Sequence, residues 1–261
     1  MKQFTLTIIL AIVLQFANSQ SWLLTGNAAT NSSTNFLGTK DANALSFRVN
    51  NQQSGHIDYS TAKANTSFGF QSLKNLTGNN NAAFGFRASY SNTTGIFNAA
   101  FGSYALFNNT TGYSNVATGG GALYKNVSGS NLVAIGDSAL YNNGVGASVY
   151  YHGTGNTAIG SKALYLNNTG YYNTALGFNA LYSNTSGFAN TTYGAFALYS
   201  NTSGHDNVAN GINALYSNTT GNYNTANGEA ALINNTTGNY NTATGFYSLV
   251  VNQTGNYNTA T

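Results

Sequence analysis

A mainly β repeat solenoid, of β-helix or β-roll type and built from 17-residue coils, follows from three features of the chain. One unit recurs with a nearly constant period, each unit closes on a turn, and no unit carries enough apolar surface to fold alone.

The period comes from an Asn followed by two small or Thr-like residues. It recurs at Asn65, Asn81, Asn98, Asn115, Asn131, Asn156, Asn173, Asn190, Asn207, Asn224, Asn241 and Asn258, with intervals of 16, 17, 17, 16, 25 and then six of 17. The consensus N-T-A-x-G-x-x-A-L-Y-x-N-T-T-G-x-x is almost intact from Asn173 to Ala189 and from Asn207 to Tyr223.

Each unit divides into three parts. The opening stretch, such as Asn224 to Gly228, alternates small and variable side chains as one strand of a stacked sheet requires. In the middle, Gly177, Ala180, Leu181 and Asn184 are spaced for one helical face, so a short helical turn per coil or a second strand fits there. The closing N-T-T-G, as in Asn218 to Gly221, reads as a corner in which Asn bonds its own backbone and Gly supplies positive φ.

Stacking must then supply the core. The Leu column from Leu106 through Leu181 to Leu249 is the expected buried spine, with the preceding Ala column allowing close backbone approach. Tyr follows that Leu at Tyr124, Tyr141, Tyr165, Tyr182, Tyr199 and Tyr216. Phe107, Ile233 and Val250 replace it elsewhere, which marks a packing position rather than a sugar-stacking ladder. Two Asn columns, the one opening each unit and the one at Asn184, Asn201, Asn218 and Asn235, can bond along the array like amide ladders. Their Asn-x-Ser/Thr strings are also glycosylation sequons, candidates if the host is a eukaryote.

The expected organisation is a signal peptide over 1–19, an N-terminal cap over 20–64, and about eleven repeats over 65–261 with an insertion near 142–155. Lys2, the apolar run from Phe4 to Phe16 and the small residues Ala17 and Ser19 carry the first assignment, and the run is too short to span a bilayer. With strands about 4.8 Å apart, the repeats give a rod roughly 50 Å long. The surplus around Tyr150, Tyr151 and His152 should protrude as a loop, on the face where solenoid insertions gather.

Composition excludes several function classes. Cysteine and proline are absent, and only 5% of residues are charged. No disulfide framework holds the fold, nearly every backbone N–H is free for a ladder, and no basic patch for nucleic acid can form. No basic residue follows Lys162, so the later half suits face-to-face assembly. The acidic residues Asp41, Asp58, Asp137, Asp206 and Glu229 and the histidines His56, His152 and His205 are dispersed, without metal-ligand or paired-carboxylate spacing. No catalytic residue, metal ligand or cofactor site is therefore expected, and ligand-contacting residues remain unassigned. His205-Asp206 reads as solvated turn surface.

The strings Trp22-Leu-Leu-Thr-Gly-Asn-Ala-Ala-Thr, Asn35-Phe-Leu-Gly-Thr, Leu45-Ser-Phe-Arg-Val-Asn-Asn and Gly55-His-Ile-Asp, with the repeats, resemble exported bacterial tail-fibre-like proteins of the Bacteroidetes type. The repeats are also similar to the heads of trimeric autotransporter adhesins. The resemblance implies a secreted or cell-surface fibre that self-associates, as a homotrimer or fibre, and touches surface glycans or a host surface. Members often end in an intramolecular chaperone domain; this chain departs from them by stopping at Thr261.

Two functions follow as expectations. One is a non-enzymatic structural or adhesive fibre segment making multivalent weak contacts. The other is a dedicated solenoid binder of polysaccharide or ice, using the Thr column at Thr157, Thr174, Thr191, Thr225, Thr242 and Thr259. Against the second, the position two residues on holds Ile159, Leu176, Tyr193, Asn227 and Thr244, so no regular double Thr row exists.

Overall fold

A computed structural model describes residues 38–59 and 62–261. The leader assigned to 1–19 and residues 20–37 of the cap, Trp22 included, lie outside the described residues. The unit from Lys40 to Thr261 contains strands and no helix among the described residues, joined in one 14-stranded sheet in sequence order. Strands β1 (Leu45–Val49) and β2 (Gln52–Ile57) form an antiparallel hairpin with a register shift between Phe47 and Arg48. Strand β2 also pairs antiparallel with β3 (Thr66–Phe68). From β3 to β14 (Thr259–Ala260) each strand pairs in parallel with the next, one strand per coil. A β-solenoid of coils about 17 residues long is the result.

Each coil contributes only three strand residues. The central one, Ala83, Ala100 and onward to Ala243, points inward and is fully buried, while its neighbours face outward. After the strand comes the Ala-Leu pair, and from Leu106 to Leu232 the Leu column is fully buried as expected, with Leu249 half-buried. The column begins two coils before Leu106: Leu73 opens it, and Ser89 occupies it between Leu73 and Leu106.

The middle of the coil is not helical. In the unit opened by Asn173, Asn179 and Leu181 both take the left-handed conformation, each at φ 53°, and the same two positions do so in the other coils. Such a φ is uncommon outside Gly and costs on the order of 1–2 kcal/mol per residue. It persists because it aims N–H groups along the stack. Asn179 donates to Ser161 in the coil below, and Leu181 and Ser183 donate to Ala197 and Tyr199 in the coil above. A helical turn would point those donors at its own residues and break the ladder.

The corner also differs from expectation. Asn184 does bond its own backbone, its Nδ2 donating to the Gly187 carbonyl at 2.9 Å. Gly187, however, has no left-handed φ; a Cβ there would overlap the carbonyl oxygen of Gly204 and the carboxamide of Asn184. Glycine is needed at the corner for space. The left-handed glycine is the one after the strand, as at Gly211 with φ +138°, where a Cβ would also strike the backbone of Gly228.

Two buried Asn ladders flank each corner. In the first, Asn190 donates its backbone N–H and its Nδ2 to Asn173 Oδ1, both at 3.0 Å, and its Nδ2 also to the Gly204 carbonyl at 2.9 Å. In the second, Asn201 Nδ2 donates to Asn184 Oδ1 and to the same Gly204 carbonyl, both at 2.9 Å. Asn184, Asn201, Asn218 and Asn235 are fully buried with both Nδ2 hydrogens engaged, so these sequons offer no glycan acceptor in the folded chain.

The strand register corrects one assignment. Val116 of β6 (Val116–Thr118) pairs with Val133 of β7 (Val133–Ile135), which puts Leu132, not Asn131, in the first Asn column. Leu132 still donates its N–H to Asn115 Oδ1, yet it has no carboxamide to offer Asn156 above, and the first ladder is interrupted there. The second ladder runs through unbroken, Asn167 reaching Asn143 Oδ1 across 24 residues at 2.9 Å. The surplus of that long coil protrudes, with Val145 to Tyr151 exposed.

Two substitutions test this account by thermal or denaturant unfolding. Asn201→Ala strips acceptors and donors from both neighbouring coils and should lower the unfolding free energy by roughly 2–4 kcal/mol. Ser67→Ala should act the other way. Ser67 sits fully buried in the central Ala column with no partner for its hydroxyl, so removing that oxygen should stabilise by about 1 kcal/mol.

Candidate functional site

The solenoid places four sets of polar or aromatic side chains where they could meet a ligand. The longest is the aromatic ladder Tyr90, Phe107, Tyr124, Tyr141, Tyr165, Tyr182, Tyr199 and Tyr216. Successive ring centroids lie 4.9–5.4 Å apart and planes within 5–23° of parallel. The rings are half-buried, and each interior ring is covered on both faces by its neighbours. A sugar therefore cannot stack on them, and the hydroxyl edges are what solvent sees. Burial, then the flanking Tyr124 and Tyr165 hydroxyls, push the Tyr141 phenol above its ordinary value, which keeps it a neutral hydrogen-bond donor.

The outward side of the sheet is the second set. Thr174 pairs with Thr157 and Thr191, and Thr242 with Thr225 and Thr259, so the predicted Thr column forms in register, with Val208 between its two parts. The parallel column two residues on carries Ile159, Leu176, Tyr193, Asn210, Asn227 and Thr244.

The third set gathers at the insertion. Tyr150 is 93% exposed and Tyr172 62% exposed. Tyr151 meets Tyr171 edge-on at 5.1 Å, Tyr171 stacks on Phe188 at 4.9 Å, and Phe188 stacks on His205 at 4.6 Å. His205 Nδ1 lies 2.9 Å from Asp206 Oδ2. His205 is thus held against an aromatic stack, while Asp206 stays exposed to solvent. Burial, then the nearby Tyr151 and Asp206, raise the Tyr171 phenol.

The fourth set is a second His–Asp pair at the hairpin end, within a cleft of about 560 Å³ lined also by Lys63, Lys74 and Asn79. His56 Nε2 lies 3.0 Å from Asp58 Oδ1. The other oxygen of Asp58 accepts the backbone N–H of Asn65 at 3.2 Å and its Nδ2 at 2.8 Å. Those are the two bonds that Asn81, and each Asn from Asn173 to Asn258, makes to the Asn beneath it, so Asp58 is the terminal acceptor of the ladder. A carboxylate suits that end, where aligned amide donors point outward, as it suits the start of a helix. Burial opposes ionisation of Asp58, but the hydrogen bonds from Asn65 and His56 outweigh it and hold the carboxyl below its usual range. The role is structural.

Among the described residues no three His, Cys, Asp or Glu side chains cluster to hold a metal, and no helix is long and apolar enough to cross a membrane. The aromatic stacking and the Asp58 cap carried no sequence signal beyond periodicity. Comparison with family models, curated proteins and solved structures returns no match.

Because the Asp58 carboxyl is held low when folded, its contribution to stability is complete above the ordinary aspartate range and is lost as pH falls through the folded value. Hydrogen exchange of the Asn65 and Asn81 amides should accelerate selectively as the pH falls below the ordinary aspartate range. In Asp58→Asn the same amides should be less protected at neutral pH and nearly insensitive to acid over that range.

Proposed function

We propose that the chain is a non-enzymatic, extracellular structural or adhesive segment of a surface fibre, acting through many weak contacts. The observation that supports this most directly is repetition in register: Thr157, Thr174 and Thr191, and then Thr225, Thr242 and Thr259, align coil over coil through the parallel pairing of their strands. A hydroxyl or carboxamide repeated about every 4.8 Å offers one modest hydrogen bond per coil. Such contacts become strong only when many are made together on a surface that is itself repetitive, such as a glycan layer.

The low charge fits this use, since contacts made of neutral hydrogen bonds are little weakened by salt. The leader over 1–19 and the family resemblance support a secreted or cell-surface location, with self-association and surface glycans or a host surface as partners. A dedicated binder of ice or crystalline polysaccharide is the second reading. The in-register Thr225, Thr242 and Thr259 favour it; Ile159, Leu176 and Tyr193 beside the earlier part of the column weigh against it.

Avidity separates an adhesive array from a single binding site. On a glycan-coated surface the full array should bind at least about 100-fold more tightly than a truncated form retaining three coils. Equal affinity of the two forms would count against the proposal, and ice shaping or thermal hysteresis would favour the second reading.

A further inference from the structure

The outer side of the sheet holds an apolar column that hydrogen-bonding contacts do not use. From β3 to β10 (Thr191–Tyr193) the column at the third strand position runs Phe68, Phe84, Phe101, Thr118, Ile135, Ile159, Leu176 and Tyr193, directly in register. The column at the first strand position contributes Ala82, Ala99, Val116 and Val133 in the middle of the same stretch, with Thr66 before them and Thr157, Thr174 and Thr191 after. These side chains remain open: Phe68, Phe101, Val116, Ile135 and Ile159 are each between 37% and 40% exposed. No outward strand residue from β3 to β14 is charged.

Parallel sheets are ordinarily covered on both faces, and exposed β surfaces are ordinarily guarded by charge. Here the coil's own Ala-Leu core covers one face, and the other is mostly apolar, with threonines among its outward residues and no charge. We propose that this face, from β3 to β10, pairs with the same face of a second copy of the chain.

Charge and period select that occupant. A charged partner would bury unpaired ions against Phe and Ile, whereas an identical face brings none. A second copy also matches the coil spacing along its whole length, letting side chains from the two sheets interdigitate at the usual separation of about 10 Å. Eight three-residue strands present on the order of 400 Å² per copy, about 800 Å² in total, which is below the size of a stable dimer interface and makes the contact weak and reversible. Beyond β10 the third-position column turns to Asn210, Asn227 and Thr244, so the polar end is left for solvent or other ligands.

The pairing gives a surface to the self-association proposed above and rests on that part of the reading; it is independent of glycan avidity. A chain that pairs without avidity fails the adhesive reading alone, and one with avidity that never pairs fails this one. The test is sedimentation or light scattering of the full chain over a wide concentration range, beside Ile135→Lys/Ile159→Lys and a control, Thr220→Lys, at an exposed corner. Both substituted isoleucines point outward, so circular dichroism should show the fold retained. The expected result is a weight-average mass rising toward twice that of one chain for the wild type and the control, and a single-chain mass for the double lysine variant. A wild type that stays a single chain at the highest concentration overturns the proposal. So does association that survives the two lysines, which would place the contact on another side of the solenoid.

Discussion

Every coil depends on a hydrogen bond that no single coil can make: the buried carboxamide of one Asn to the carboxamide of the Asn beneath it. Two such ladders meet at one carbonyl, Gly204 O taking Nδ2 donors from both Asn190 and Asn201, with equivalents at the other corners. A buried carboxamide without partners would be among the most costly groups in the core. With partners above and below it becomes directional, and it locks each coil to its neighbours in one register. The apolar contribution per coil, an Ala from the strand and an Ala-Leu pair, is too small to specify that register alone.

The rest of the coil follows from keeping the ladders intact. The corner must be glycine because the carboxamide and the next coil's carbonyl occupy the space a Cβ would take. Alternating left-handed residues turn the chain while sending its N–H groups up and down the stack. The ladders also have a polarity. Donors point toward the hairpin end, which is why an anionic acceptor, Asp58, stands there where the interior uses a neutral Asn. Interruption at Leu132 is tolerated because the second ladder and the sheet continue past it.

This economy shapes what the surface can do. Because the coils are held by buried Ala and Leu columns and by backbone and Asn hydrogen bonds, the outward positions are free to vary, and they do so in blocks: apolar along the early strands, hydroxyl- and carboxamide-bearing along the later ones. The aromatic ladder spends its ring faces on intramolecular stacking. What remains for partners is a set of edges and columns with the coil's own period, which favours broad, repeated contacts over a single enclosed site.

Much of this was legible in the residues. The period, the coil as a unit, the buried Leu column and the pairing of the Asn columns all follow from repetition, because identical residues at a constant interval can only stack on themselves. The protruding insertion was visible for the same reason. The sequence could not show that Leu132 replaces Asn in the first column: Asn131 sits one residue away, and only the pairing of Val116 with Val133 sets the register. Nor could it show Leu181 in a left-handed conformation, which local preference disfavours and which the stack imposes through the bond from its N–H to Ala197. The same holds for Asp58, whose role exists only because the hairpin folds back onto the first coil. Repetition determined which residues are neighbours; the energy of bonding to the next coil decided the conformation each must take.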